Sequence, residues 1–329
     1  MCCWHARILS SVIEDPIVLQ PRHEAADSLR RLALDEKAKH AVLKDPNLRA
    51  ITKKIASRYI GGESLDDAFA VLPAIWARGH AASLDYMGES VRDEKLANSE
   101  CDIFADLIAR IRQDSANCSV SLDLSHIGLV VDPELGLQNA VRLAEATEVA
   151  GVELMISAEG SDRTDFILDT HRRLCEMYSH IGITVQARLH RTSDDLIQLM
   201  QRPGRIRLVK GAFFEPESTA YRREDIELRQ AYIRYAHRLI DAGHLTSIAT
   251  HDQQILQDLQ ASRKVELDAG HVEFEMLRGL GGQTLDDLKS SGLRTREYVV
   301  FGSQWWLYVL NRIAEEPERM YTAVIDAMR

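Results

Sequence analysis

The sequence lacks three features that would each point to a particular kind of protein: surplus positive charge, a long apolar run and a regular set of cysteines. Its 329 residues carry a formal net charge of -10, which argues against nucleic acid as a partner. No apolar run approaches the roughly 18–20 residues of a membrane span, and residues 8–13 are too short for a secretory signal. We therefore expect no membrane span, and no segment is amphipathic and basic enough to predict stable membrane docking.

The five cysteines are odd in number and follow no regular spacing. This usage is typical of reduced thiols, so we expect a cytoplasmic protein. Cys2, Cys3 and His5 stand close together, but no second ligand pair follows at a zinc-like interval. No metal site is predicted.

From residue 81 onward, short apolar runs alternate with helix-like stretches. The alternation occurs eight times, which predicts an α/β fold, a closed (β/α)8 barrel of the TIM type. A doubly wound open sheet shares the alternation, but no Gly-rich phosphate-binding turn follows an early strand. The predicted strands are residues 81–84, 120–124, 152–158, 183–189, 206–212, 245–250, 272–277 and 298–302.

The first 75 residues are predicted to be helical. Apolar residues recur at helical spacing in residues 28–34, 38–48 and 64–76. Ser64, followed by acids, is typical of a helix cap. Because no low-complexity linker divides the chain, we expect an N-terminal helical segment at residues 1–75 and the barrel at residues 76–329.

Polar side chains end or follow every predicted strand. The carboxyl ends of barrel strands face one mouth, so a functional site is expected there. Some of these residues can also be explained without a function. Asp85 and Asp252 would cap the helices that follow them, and His251 would be a hydrogen-bonded structural histidine. The set is Asp85, Asp123, Ser125, His126, Ser157, Glu159, Gln186, Arg188, Arg207, Lys210, Thr250, His251, Asp252, Glu273, Glu275 and Tyr298.

The fifth predicted strand carries two cations, Arg207 and Lys210, and breaks at Gly211. Fixed cations at a barrel mouth favour an anionic ligand such as a phosphate or a carboxylate. Pairing with neighbouring aspartate and glutamate side chains explains the same pattern, and the strand alone does not decide between the two.

Six motifs occur along the chain: Ser83-Leu84-Asp85-Tyr86-Met87-Gly88-Glu89-Ser90, Arg207-Leu208-Val209-Lys210-Gly211-Ala212-Phe213, Ala249-Thr250-His251-Asp252, Glu273-Phe274-Glu275-Met276-Leu277, Tyr298-Val299-Val300-Phe301-Gly302 and Trp305…Tyr308…Arg312-Ile313-Ala314-Glu315. In this order they resemble the proline dehydrogenase family, over about residues 55–320. The resemblance implies a distorted (β/α)8 barrel that holds FAD at its mouth. It also implies oxidation of the C–N bond of proline by hydride transfer to flavin N5, and reoxidation by a quinone or another acceptor.

The cofactor side of the family pattern is retained. The resemblance implies that Arg207 and Lys210 contact the flavin or its phosphates and that Gln186 touches the isoalloxazine. Fixed cations suit an FAD pyrophosphate, and hydrogen bonds tune the ring. The resemblance also places Thr250, His251 and Glu273 beside the cofactor.

The substrate side departs from the family pattern. The family's carboxylate-binding lysine falls on Asp123, its strand-three aspartate falls on Ser157, and two adjacent arginines fall on Asn311 and Arg312. The four family residues sum to +2 and their counterparts here sum to zero. Free proline would therefore lose charge-assisted bonds worth about 1.5–3 kcal/mol each. Phe213, Arg188, Glu275 and Arg278 also depart from the pattern, whereas Tyr298 and Leu277 are retained.

The predicted function is that of an FAD-dependent oxidoreductase acting on an amine or amino-acid-like molecule other than free proline, with an unspecified electron acceptor. Asp123 would hold a substrate cation or act as a base, and Tyr298 and Arg312 complete the predicted catalytic set. Arg188 and Arg278 would bind an anion from another direction or pair with Glu275 or Glu159.

Two alternatives come from other classes of protein. One is a non-catalytic homologue that binds flavin, as the lost lysine and arginine indicate. The other is a cofactor-free barrel lyase or isomerase that uses Asp123, Glu275 and His251 as acid and base.

Overall fold

A computed structural model describes residues 16–88, 90–267 and 270–328. Cys2, Cys3, His5 and Glu89 lie outside the described residues. No helix in the described ranges is long and apolar enough to cross a membrane. The helices are α1 (Pro16–Leu34), α2 (Glu36–Lys44), α3 (Pro46–Ala56), α4 (Leu65–Ala77), α5 (Glu94–Asp114), α6 (Pro133–Ala150), α7 (Thr164–Cys175), α8 (Thr192–Leu199), α9 (Ile226–Asp241), α10 (Gln253–Leu267), α11 (Gly282–Ser290), α12 (Trp305–Glu315) and α13 (Arg319–Met328).

Eight parallel strands close into a barrel within these residues. Leu84 on the first strand lies opposite Val120 on the second and Val299 on the eighth, which closes the ring. Closure confirms the predicted TIM-type barrel and excludes the doubly wound sheet. The strands are β1 (Ala81–Tyr86), β2 (Cys118–Leu122), β3 (Leu154–Ile156), β4 (Ile181–Gln186), β5 (Ile206–Val209), β6 (Thr246–Ala249), β7 (Val272–Leu277) and β8 (Thr295–Phe301).

The hydrophobic core lies between the strands and the surrounding helices. Successive side chains of a strand point to opposite faces, so every second residue can pack outward against a helix. The apolar residues at these positions are almost completely buried, and they explain why each strand is an apolar run in the sequence. They include Leu84, Val120, Leu122, Leu154, Ile156, Ile183, Leu208, Ile248, Phe274, Val299 and Phe301.

The barrel interior is polar, whereas bulky branched apolar residues usually fill it. Ser83 on β1 donates to Glu275 Oε1 on β7 at 2.8 Å, and Arg207 on β5 donates to Ser121 Oγ on β2 at 2.5 Å. These bonds join strands that are not neighbours, so the side chains must meet inside the ring. The mouth therefore opens onto a hydrogen-bonded and charged interior.

Local sequence signals account for several helix starts. Ser64 and Asp67 form the capping box that begins α4, as predicted for Ser64. Asp132 caps α6, with Pro133 at its first turn. Asp252 accepts from Gln254 N at 3.0 Å and from Ile255 N at 3.2 Å, so it caps α10 as its ordinary explanation predicted.

The prediction of one continuous helix over residues 38–48 was wrong. Asp45 is extended and accepts from the backbone N–H groups of Asn47 and Leu48, which ends α2 and begins α3. Pro46 disfavours a helical conformation for the residue before it, so the break follows from the Asp-Pro pair. α13 was not predicted.

The chain divides into two compact units. The described residues from 58 to 304 form the barrel unit, and residues 16–57 with 305–328 form the second, helical unit. The boundary predicted after residue 75 falls inside α4 (Leu65–Ala77), so the division into domains at that point stays a prediction.

Candidate active site

Arg207 lies at the centre of the polar interior, where β5 places its side chain. The guanidinium is buried, and its Nε lies 3.3 Å from Glu275 Oε2. It also stands over the Tyr298 ring, 4.8 Å from the centroid. Burial alone would lower the pKa of Arg207, but the Glu275 carboxylate raises it above its ordinary value. Arg207 is thus a permanent cation fixed by contacts to three strands.

Asp85 and Tyr298 form a hydrogen-bonded pair beside this cation. The Tyr298 hydroxyl donates to Asp85 Oδ2. Burial raises the pKa of Asp85 from 3.8 to about 7, against the opposing effects of the Tyr298 hydrogen bond and of Arg207. Burial and the nearby Asp85 carboxylate also raise the pKa of Tyr298 well above its usual value. The tyrosine therefore remains a hydroxyl donor at neutral pH.

The raised pKa of Asp85 predicts a pH effect on stability. The folded protein holds a proton on Asp85 up to about pH 7, whereas the unfolded chain releases it near 3.8. Folding therefore becomes less favourable as the pH rises between these values. We expect wild type to lose stability relative to Asp85→Asn from about pH 4 to about pH 7. Urea unfolding of both proteins across this range measures the difference, and parallel profiles would contradict it.

Lys210, Thr250, His251 and Asp252 lie together at the carboxyl ends of β5 and β6. Lys210 Nζ pairs with Asp252 Oδ2, and Asp252 N donates to Thr250 Oγ1 at 3.1 Å. His251 Nε2 accepts from Leu277 N at 3.3 Å, which links this segment to the end of β7. Three predicted cofactor residues, Lys210, Thr250 and His251, thus lie near one another. Lys210 also forms an ion pair with a neighbouring aspartate, which was the alternative explanation for its charge.

Gln186 and Gly211 provide a direct test of whether a flavin suits this mouth. Gln186 Nε2 donates to the backbone carbonyl of Glu159 at 2.8 Å, while its buried Oε1 has no hydrogen-bond partner among the described residues. Gly211 has φ +110°, and a Cβ there would stand 2.8 Å from that oxygen. A buried acceptor without a donor among the described residues suits a ring edge that carries N–H groups. The missing Cβ of Gly211 leaves room for this oxygen and for the Arg188 side chain. The residues present fit a flavin.

Glu273, predicted beside the cofactor, lies in a buried ion cluster near the amino-terminal ends of β7 and β8. Arg296 Nε donates to Glu273 Oε1 at 2.8 Å, Ser247 Oγ donates to the same oxygen at 2.6 Å, and Arg205 Nε stands 3.5 Å away. Burial alone would raise the pKa of Glu273, but the two arginines lower it to about 2. These contacts satisfy Glu273 within the protein, and its place beside the cofactor stays a prediction.

Two arginines that depart from the family pattern, Arg188 and Arg278, bind other groups of the barrel unit. Arg188 is buried and donates to the backbone carbonyls of Tyr221, at 2.9 Å, and Phe213. Arg278 Nη1 lies 3.0 Å from Glu297 Oε1. Their guanidinium groups therefore stabilise the loop after β5 and the end of β7. Neither arginine pairs with Glu275 or Glu159, which was one alternative for them.

The remaining substrate-side residues are divided between the two units. Asp123 is half-buried directly after β2, and its charge contributes to the raised pKa of Tyr298. Ser157 is buried after β3, and Leu277 ends β7. Asn311 and Arg312 lie on α12 in the helical unit, where Arg312 Nη2 pairs with Glu315 Oε1 at 2.9 Å. Their roles in substrate binding stay predictions.

Four polar residues that bond to the candidate site or to Glu273 were not predicted: Ser83, Ser119, Ser121 and Arg296. A signal was present in the strands that carry them. Serines 119 and 121 and Asp123 occupy every second position of a run whose other members are apolar. In a fully buried strand this alternation indicates a polar interior face.

Comparisons with known proteins agree with this geometry. A family model described as Proline dehydrogenase matches residues 70–316. Proline dehydrogenase of Deinococcus radiodurans is 30% identical over 296 residues, covering 86% of this chain and 94% of that protein. Proline dehydrogenase 2 of Bacillus subtilis (strain 168) is 28% identical over 266 residues, covering 80% and 88%.

The fold also matches a solved structure. Proline utilization A (PutA) from Bdellovibrio bacteriovorus, inactivated by N-propargylglycine, superposes with a TM-score of 0.76 at 19% identity. The match covers 90% of this chain but only 37% of that one, so this chain spans little more than a third of its length. At this identity the likeness supports the barrel fold alone.

A chain with this barrel and these relatives is a flavin-dependent dehydrogenase that acts on a CH–NH donor. It belongs to the proline dehydrogenase family, whose model covers most of its length. The family predicted from the ordered motifs is thereby confirmed, and a cofactor-free lyase or isomerase no longer explains the chain.

Proposed function

We propose that this chain is an FAD-dependent enzyme that oxidises the C–N bond of an amine or amino-acid-like substrate other than free proline. The observation that carries the proposal is Asp123, a carboxylate at the end of β2 where the family places the lysine that holds the proline carboxylate. Arg188 and Arg278, the two extra arginines near the mouth, bind backbone carbonyls and Glu297. They are therefore poor replacements for that lysine.

The residues proposed to hold the cofactor are those of β4, β5 and β6. Gln186 would present its unpartnered Oε1 to the ring, and Arg207 and Lys210 would supply positive charge. Thr250 and His251 would line the same side. FAD, when bound, supplies the hydride acceptor that amine oxidation requires.

The chain's own residues would prepare the substrate. An amine must lose its ammonium proton before it can give up a hydride, and Asp123 stands where a carboxylate can hold that cation and accept the proton. Tyr298, kept as a hydroxyl by its raised pKa and held by Asp85, would orient the substrate. A cytoplasmic location, expected from cysteine usage, remains part of the proposal.

The test is an anaerobic mixing experiment that follows flavin absorbance. The purified protein is expected to be yellow, and primary or cyclic amines without a carboxylate are expected to bleach it. L-proline is expected to reduce it at least about a hundredfold more slowly than the best amine, because two or three charge-assisted bonds are lost. Adding oxygen or a soluble quinone to the reduced protein then identifies the electron acceptor.

Two variants of Asp123 sharpen this test. Asp123→Lys restores the family cation and is expected to increase reduction by L-proline, whereas Asp123→Asn removes the charge without restoring it. Rapid bleaching of wild type by L-proline would refute the altered specificity. Flavin that resists reduction by every amine and by L-proline would favour the non-catalytic homologue instead.

A further inference from the structure

Glu275 is the carboxylate that pairs with Arg207 in the barrel interior. Its Oε2 lies 3.3 Å from Arg207 Nε, and the two side chains are only 3% and 6% exposed. Solvent and salt screen such a buried pair much less than an exposed one. A buried ion pair adds little net stability over apolar residues of similar size, so stability alone does not explain these two charges. Their effect is to be sought in the charge that they present to the mouth.

Ser83 and Ser119 hold the Glu275 carboxylate in one position. Ser83 Oγ donates to Glu275 Oε1 at 2.8 Å and lies 3.0 Å from Ser119 Oγ. Arg296 Nη1 donates to Ser119 Oγ at 3.0 Å from deeper in the barrel. One oxygen of the carboxylate is thus bound to a serine while the other faces Arg207, which fixes a negative charge directly beside the cation.

The charges of the ion pairs in the barrel interior sum to zero among the described residues. Arg207 and Glu275 cancel each other, and two arginines and two glutamates deeper in the barrel do the same. Without Glu275, the interior would carry one uncompensated positive charge at Arg207. The mouth therefore receives much less positive charge than Arg207 alone would supply. The deeper residues are Arg205, Arg296, Glu153 and Glu273.

The other cation proposed to hold FAD is compensated in a different environment. Lys210 pairs with Asp252, but these side chains are 33% and 13% exposed, so water screens their charges more strongly. A change of charge at the buried pair of Arg207 and Glu275 therefore acts more strongly on a ligand at the mouth. Glu275 is also one of the departures from the family pattern, and the proposed function gives it no role.

The effect of Glu275 on a flavin follows from the charge change of the reaction. Hydride transfer adds two electrons and one proton, so it leaves one additional negative charge on a bound flavin. A cation beside the ring favours the reduced form, and an anion favours the oxidised form. Arg207 would supply the first effect, and Glu275 opposes it.

We propose that Glu275 is a positioning residue that acts through Arg207 and lowers the reduction potential of the bound flavin. A lower potential makes the reduced protein a stronger donor to its electron acceptor and leaves less driving force for oxidation of the amine. The inference rests on the FAD of the proposed function, but it is independent of the substrate.

The test is the reduction potential of the FAD-loaded full chain, measured by anaerobic titration with dithionite beside an indicator dye. Glu275→Gln keeps the shape of the side chain and removes its charge, so the potential is expected to rise. One unit charge over about 10 Å, at an effective dielectric constant of about 20, changes an equilibrium about tenfold or more. For a two-electron couple a tenfold change corresponds to about 30 mV. Measurement at pH 6 keeps Asp85 mostly protonated, because burial raises its pKa to about 7.

Glu297→Gln is the matched control. Glu297 is also a buried glutamate of the barrel unit, but it pairs with Arg78 and Arg278, each at 3.0 Å. Its replacement is expected to leave the potential unchanged. Glu275→Asp keeps the charge and is expected to stay close to wild type. An unchanged or lower potential in Glu275→Gln, or an equal rise in either control, overturns the inference.

A second measurement uses the affinity for flavin. Binding and reduction form one thermodynamic cycle, so the ratio of the dissociation constants of oxidised and reduced FAD must change by the same factor of about ten. Ultrafiltration of the loaded protein in each redox state measures both constants. An unchanged ratio in Glu275→Gln contradicts the proposal.

Glu273→Gln is a second variant for the case in which loss of the Arg207 partner prevents Glu275→Gln from folding. It removes an acid of the deeper cluster and is expected to raise the potential by a smaller amount than Glu275→Gln would. Absence of any rise overturns the inference. Reduction by dithionite requires no substrate, so an incorrect substrate class in the proposed function would leave these results unchanged.

Discussion

Arg207→Ala is expected to yield protein that keeps less than about a tenth of the wild-type flavin, because a buried cation with charge-assisted bonds contributes several kcal/mol to ligand binding. Arg207 is the cation at the centre of the polar interior, in contact with Ser121, Glu275 and Tyr298. The flavin-to-protein absorbance ratio after purification, and titration with added FAD, measure the change.

Arg207→Ala could lower the flavin content in two ways: by removing a contact to the cofactor or by leaving Glu275 without its cation. A second variant separates the two. Arg207→Ala alone leaves that carboxylate buried without its cation, which is destabilising in itself. Arg207→Ala with Glu275→Gln removes the unpaired charge. If this double variant folds as wild type and remains colourless, Arg207 contributes directly to flavin binding. Recovery of full flavin content would show that Arg207 serves only to neutralise Glu275.

Arg296→Met is expected to destabilise the protein by about 3–5 kcal/mol, because it leaves the buried Glu273 carboxylate without its closest cation. The expected result is a lower urea midpoint at neutral pH. Replacing both partners, as Arg296→Met with Glu273→Leu, is expected to recover much of the loss, since two apolar side chains need no pairing. A single variant as stable as wild type would contradict this account.

The same ion cluster predicts how the free energy of unfolding changes at acidic pH. The pKa of Glu273 is lowered from 4.5 to about 2 in the folded protein. Its contribution to stability is therefore present above about pH 4.5 and is lost as the pH falls toward 2. The double variant lacks this carboxylate, so its stability should fall less over that window. Urea unfolding at several pH values measures both effects.

The barrel was predictable because its strands are short apolar runs with one residue in two facing the helices. Local signals of this kind also identified the cap at Ser64. The break at Asp45 carried an equally local signal, an aspartate before Pro46, which was outweighed by apolar periodicity running through it. α13 was not found because its apolar stripe is short and is interrupted by small and polar residues.

The candidate site was predictable as a set of strand ends but not as a network. Arg207 and Lys210 follow from one strand, yet their partners Glu275 and Asp252 come from two others, and no local pattern pairs them. The state of Gln186 was also not predictable from its strand. Its Nε2 donates to the Glu159 carbonyl, and only this contact shows that its Oε1 is left without a donor among the described residues. Long-range pairing, which decides such contacts, is a property of the closed barrel and not of any one strand.

The distribution of charge in the barrel interior has a consequence for assembly. Its arginines and glutamates belong to the carboxyl-terminal half barrel, whereas serines on β1 and β2 face them from the amino-terminal half. The charged residues are Arg205, Arg207, Glu273, Glu275 and Arg296. These residues are three arginines and two glutamates, so one positive charge of the half barrel of β5 to β8 is left for the other half to balance. Glu153, directly before β3, lies 3.1 Å from Arg205, so charge as well as the hydroxyl groups of β1 and β2 favours closure of the ring.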